Sequence, residues 1–139
     1  MMRVVIDTNV LVSAIINPDG MPAQVLDHVF AGECEPVLSA AILDEYTRVL
    51  QHARLRLPAH LVERMLHYFR RFALPVPAAH PAYHCSDADD TKFLAAALAG
   101  NASVLITGNK RHFPTHVPRL RILTPAEFIA SRAVHGQAG

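Results

Sequence analysis

Residues Arg3-Val4-Val5-Ile6-Asp7-Thr8-Asn9 constrain the fold more than any other stretch of the chain. Three β-branched apolar residues run directly into an aspartate, a threonine and an asparagine. An apolar run without polar alternation is how a strand buried on both faces reads, and such strands belong to parallel sheets covered by helices. In open sheets of that kind, ligands sit beyond the carboxyl ends of the strands. Asp7 stands at that edge and is the first candidate for chemistry. The competing reading is that it merely caps a helix starting near Asn9.

The rest of the chain repeats the alternation. A helix is expected over Val10 to Ile16, ended by the turn signal Asn17-Pro18-Asp19-Gly20. A second helix over Ala23 to Ala31 closes on Gly32, and Pro36-Val37-Leu38 is a short buried strand. Ser39 caps a helix running to about Ala53, and Pro58 opens another that ends near Phe72. A short strand is expected over Leu74 to Val76, followed by a loop from Pro77 to Cys85. A helix opened by Ser86-Asp87-Ala88-Asp89-Asp90 runs to Leu98, and Val104-Leu105-Ile106 is another buried strand. A last strand near Arg121-Ile122-Leu123 precedes a helix begun by Thr124-Pro125. This order predicts an α/β fold with a central parallel sheet covered on both faces. One domain over residues 1–132 is expected, with a disordered tail over 133–139.

Composition narrows the function classes. The chain is 51% hydrophobic and 18% charged, as a globular protein of the cytoplasm would be. It has no apolar run of about 18 residues, so no membrane association is expected. Asp7 interrupts what would otherwise be the apolar core of a leader. Cys34 and Cys85 make neither a CxxC pair nor a disulfide scaffold. His80/His84 and His112/His116 are each four residues apart, but a proline lies within each pair and argues against zinc. The formal net charge is only +1, far from that of a nucleic-acid coat. The basic residues are nonetheless clustered: Arg48, His52, Arg54 and Arg56, then Arg64, His67, Arg70 and Arg71, then Lys110, Arg111 and His112. Each cluster can track a phosphate backbone or simply be a solvated face.

Helix geometry makes the acids more telling than their number. On the helix after Ser39, Leu38, Ile42, Tyr46 and Val49 share one face; Glu45 falls within it, while Asp44 points nearly the other way. A carboxylate on a core-facing stripe is costly unless it is compensated or reaches water at the rim. On the helix after Cys85, Phe93, Leu94 and Ala97 define the buried face, and Asp90 projects onto its middle. Helix-dipole complementarity explains three acids in a first turn, but not that azimuth. Asp7, the start of the Asp90 helix and Thr107-Gly108-Asn109 should all lie at the carboxyl edge of the sheet. Oxygen ligands without a thiolate suit magnesium or manganese.

With these segments in order, the chain resembles the PIN domain family, specifically the PIN toxins (VapC-like) of bacterial toxin–antitoxin systems. The resemblance rests on Val4 to Ala14, on Glu45, on Asp87-Ala88-Asp89-Asp90-Thr91-Lys92-Phe93-Leu94, and on Val104-Leu105-Ile106-Thr107-Gly108-Asn109-Lys110-Arg111-His112-Phe113-Pro114. It implies a three-layer α/β/α sandwich and a magnesium- or manganese-dependent ribonuclease, with Asp7, Glu45 and Asp90 as its main acids. Asp7 and Asp90 would hold the ion and Glu45 would orient or deprotonate the attacking water. Thr8 and Asn9 would shape the first loop, and Thr107 would lie beside the site. Many members carry a fourth acid where Asn109 stands, so one ion is expected and a second is not. Asp87 is the candidate to supply the missing carboxylate. Arg48, Lys110 and Arg111 would contact RNA phosphates. The resemblance further implies a homodimer silenced by an antitoxin protein.

Two alternatives remain open at this point. A catalytically inactive PIN-like module binding RNA or protein is kept alive by Asn109. An aspartyl-nucleophile phosphohydrolase of the haloacid-dehalogenase type would use Asp7 covalently. However, such enzymes resemble a D-x-D first motif, where Asn9 stands here, and their acidic pair follows the Thr and Lys motifs rather than preceding them.

Overall fold

The computed structural model describes residues 1–79, 83 and 85–138, with side chains as far as 133. Five parallel strands form one sheet: β1 (Met2–Ile6), β2 (Cys34–Leu38), β3 (Leu74–Pro75), β4 (Val104–Ile106) and β5 (Arg121–Leu123). Between and after them lie α1 (Thr8–Ile16), α2 (Met21–Phe30), α3 (Ala40–Leu50), α4 (Ala59–Phe72), α5 (Thr91–Ala99) and α6 (Pro125–Ala138). The spatial order is β3-β2-β1-β4-β5. The chain therefore steps outward from β1 to one edge, then returns through α5 to build the other side. Right-handed crossovers put the outward and return helices on opposite faces of the sheet. The result is the three-layer α/β/α sandwich expected from the alternation of elements.

The strand of Val4 to Ile6 is the centre of the sheet. All three residues are fully buried, with Val4 beside Pro36 on one flank and Val104 on the other. The reversal of strand order falls between β1 and β4, which opens a crevice at their carboxyl ends. Asp7 and Thr107 follow directly from those two strands. The Asp7 N–H donates to the Ile106 carbonyl at 2.9 Å, so the ladder holds its backbone in register to the end of β1.

Several boundaries differ from the sequence expectation. α3 ends at Leu50, and residues Ala53–Leu55 form a separate 3-10 turn closed by Arg56 in the left-handed region (φ 50°). Pro58 occupies the N-cap position of α4 rather than its first turn. α6 runs to Ala138. Its start is a capping box that the sequence expectation does not include: the Glu127 N–H donates to Thr124 Oγ1 and the Thr124 N–H to Glu127 Oε1, at 3.2 and 2.9 Å. His80 and His84 lie outside the described residues. No helix among the described residues is long and apolar enough to cross a membrane.

Gly100, which ends α5, permits a close approach of that helix to the sheet. A Cβ there would lie 2.8 Å from Val37 Cγ1 and 3.2 Å from Val76 Cγ1. Val37 is buried and β-branched, so it has no free rotamer to yield. Gly100→Ala is expected to cost about 1–3 kcal/mol through overpacking, measurable as a lower urea midpoint with an unchanged m-value.

Candidate active site

Asp7 is 5% exposed and follows the last residue of β1. It occupies the N-cap position of α1, yet its side chain makes no well-formed capping bond. Simple capping therefore does not account for it. Its carboxylate instead accepts a hydrogen bond from Thr107 Oγ1 at 2.7 Å, and Asn9 Nδ2 lies at 3.5 Å. Thr107 is fully buried, and its hydroxyl oxygen accepts from the Asn109 N–H at 3.0 Å. Asn9 closes the rim from the other side, its Oδ1 accepting from the Gly108 N–H at 3.2 Å. The loops after β1 and β4 are thus laced together around one carboxylate.

The other two acids converge on it from different elements. α3 is pinned to the end of β1 by Tyr46, which is buried and donates its hydroxyl to the Ile6 carbonyl. That places Glu45 beside the crevice, 13% exposed, while Asp44 is solvent-facing. Glu45 Oε2 accepts from Thr8 Oγ1, and Oε1 accepts from Lys92 Nζ at 2.6 Å. Asp90 ends a 3-10 turn (Ala88–Asp90), and α5 starts only at Thr91. Asp90 thus lies just outside the regular α-helical geometry that its expected azimuth assumes. The carboxylate is nonetheless largely buried, and its Oδ2 lies 3.2 Å from His112 Nδ1. The Ser86 N–H donates to the His112 carbonyl at 3.0 Å, which straps the acidic turn to the loop after β4.

Electrostatics record the proximity. Burial, followed by the charges of Asp90 and Glu45, pushes the Asp7 carboxyl up to about 6, against the lowering effect of the Thr107 bond. Burial also raises Asp90, opposed by its bond to His112 and reinforced by Asp87 and Glu45. Tyr46 is raised well above its usual range, chiefly by burial and then by Asp7 and Glu45.

The remaining sequence candidates divide. Thr8, Asn9 and Thr107 take part in the network, and Asn109 joins through its backbone N–H while its side chain is exposed. Asp87 is exposed, and its Oδ1 caps the 3-10 turn by accepting from the Asp89 N–H at 3.0 Å. Lys110 pairs with Glu127 at 3.0 Å, whereas Arg48 and Arg111 are exposed. Sequence alone assigns no site role to Lys92 or His112. Lys92 does leave a signal: it sits in the first turn of α5, where the helix dipole disfavours a cation. His112 reads in sequence as one member of a basic cluster, and its partner Asp90 lies 22 residues away.

The donors around the crevice are carboxylate and hydroxyl oxygens, which suit a hard divalent cation. A buried Asp7 pressed by two other acids lacks a positive counter-charge, and such an ion would supply it. Among the described residues no three His, Cys, Asp or Glu side chains are disposed as a ligand set as they stand. Glu45 is instead held by Lys92, and Asp90 meets His112 through Oδ2 alone, so the donor chemistry fits an ion shared by Asp7 and the other oxygen of Asp90.

Comparison with known proteins agrees with this architecture. The family model described as "PIN domain" matches residues 3–111. An uncharacterised protein of Methanocaldococcus jannaschii, MJ1680, is 32% identical, the alignment covering 91% of this chain and 89% of that protein. The fold is similar to that of VapBC2 from Rickettsia felis, solved bound to a DNA fragment from their promoter. The TM-score is 0.57 at 20% identity, over 88% of this chain and 98% of the other. The chain spanning Asp7, Glu45, Asp90 and Thr107 belongs to the PIN domain family.

Proposed function

We propose that the protein is a metal-dependent endoribonuclease of the cytoplasm and the toxin of a toxin–antitoxin pair. The observation that supports this most is the buried Asp7 carboxyl at the switch point of the sheet, raised to about 6 with Asp90 and Glu45 close by. Asp7 and Asp90 would hold one magnesium or manganese ion. Asp87, exposed and committed to its own cap, would contribute at most charge. When bound, such an ion supplies Lewis acidity for hydrolytic displacement at a phosphodiester. Thr107 holds Asp7 in place through its hydroxyl. Glu45 shares its charge with Lys92, so it orients the attacking water rather than deprotonating it. Arg48, Lys110 and Arg111 would contact flanking RNA phosphates.

The test is cleavage of single-stranded RNA in manganese by the wild type, Asp7→Asn and Asp90→Asn. Cleavage by the wild type alone is expected. Equal, background-level products from all three would leave the non-catalytic module as the better reading. His112 offers a graded check, because it orients Asp90 without reaching the other acids. His112→Ala is expected to weaken manganese binding by about 10–100-fold, with partial recovery in His112→Asn, as titration calorimetry would measure.

A second observation bears on the partner. α1, α2 and α4 border a groove of about 560 Å³ lined by Ala14, Ile15, Leu26, Phe30, Met65 and Tyr68, with Asp27 and Arg64 at its rim. An apolar stripe flanked by both signs of charge suits an amphipathic helix. The similar fold of VapBC2 supports an antitoxin segment as its occupant. A homodimer is the other assembly the family resemblance implies, and light scattering of the isolated chain measures it.

A further inference from the structure

Lys92 breaks a local rule. It lies in the first turn of α5, where the aligned peptide dipoles repel a cation, and its side chain is only 21% exposed. What holds it there is Glu45 on α3, whose Oε1 it meets at 2.6 Å. Thr8 engages the other oxygen of the same carboxylate. One acid of the cluster is therefore neutralised by the chain itself, by a side chain two residues beyond Asp90. Asp87 is exposed to solvent and caps the turn through Oδ1. Asn109 brings no charge to the loop after β4.

With Glu45 matched by Lys92, the carboxylates of the crevice that have no lysine or arginine partner are Asp7 and Asp90, and one divalent ion balances two such charges. We propose that the Lys92 ammonium, held on Glu45, takes the place of a second divalent cation, so that this PIN domain binds a single metal ion. The proposal rests on the metal-dependent reading above and adds to it the residue that sets the ion count. A lysine suits this role because its ammonium is a compact point charge on a flexible stem. Lys92 is in this sense a positioning residue, acting on the charge of Glu45.

The experiment counts bound manganese from the loss of the free-ion paramagnetic resonance signal, for the wild type, Lys92→Met and Lys92→Arg, with thermal melts confirming that each is folded. The wild type is expected to bind one ion. Lys92→Met, which keeps the length of the stem and removes the charge, should bind two, with the first ion held more than about tenfold tighter. Lys92→Arg should stay at one. Two ions in the wild type, or a folded Lys92→Met that binds one ion at unchanged affinity, would overturn the proposal while leaving the metal-dependent reading intact. A folded wild type that binds no manganese would overturn that reading as well. Should Lys92→Met fail to fold, Lys92→Gln is counted in its place and judged by the same two outcomes.

Discussion

Asp7→Asn is expected to reduce RNA cleavage by at least about 10³-fold, as loss of a preorganised charge at a reacting centre does, and at the same time to stabilise the metal-free protein. The two effects have one cause. Asp7 is 5% exposed, and its carboxyl is pushed from 3.8 to about 6 by burial and by Asp90 and Glu45. A carboxyl with a folded-state pKa above its unfolded value destabilises the fold wherever it is ionised. The penalty is complete above about 6 and fades as pH falls through 6 toward 3.8. Its size near neutral pH is about 3 kcal/mol as an upper figure. Asparagine keeps an oxygen that can accept from Thr107 and carries no charge. Urea denaturation without metal should therefore show Asp7→Asn more stable than wild type at pH 7, with the difference vanishing near pH 4. A variant less stable than wild type at pH 7 would mean that Asp7 is already paired.

Glu45→Gln should move stability the other way. Glu45 and Lys92 are 13% and 21% exposed, and their contact joins α3 to α5. Removing one member of a largely buried pair leaves the other charge without its partner, and that desolvation is not recovered. A loss of about 2 kcal/mol is expected, below the fully buried case because water still reaches the ammonium. The double variant Glu45→Gln with Lys92→Met should recover all but about 1 kcal/mol, giving a coupling energy a double-mutant cycle can read. If Glu45→Gln alone is neutral, the pair contributes nothing to the fold. Two acids of one crevice thus carry opposite stability signs, because one has a cation from the chain and the other does not.

Much of this is legible in the sequence. Val4-Val5-Ile6 running into Asp7 identifies a central strand and the polar carboxyl end at which Asp7 stands, because an unalternated β-branched run has few other uses. The strands at Val104–Ile106 and Arg121–Leu123 fall where they are expected, bounded by glycine and proline. Glu45 is recoverable from its azimuth because α3 is regular through that residue. Asp90 is reached by a less secure route, since the helix expected to carry it begins one residue later. Lys92 and His112 are hidden for a different reason. Each acquires meaning only from a partner on another element, 47 and 22 residues away, and periodicity carries no information about such pairs. The strand order is equally out of reach, although it is the placement of β4 beside β1 that brings Thr107 to Asp7.

The most direct measurement is a crystal structure of the wild type soaked in manganese, with anomalous differences collected above the manganese edge. One peak coordinated by Asp7 and Asp90, with Glu45 still paired to Lys92, is the result this account predicts. A map without a peak in the crevice would contradict it.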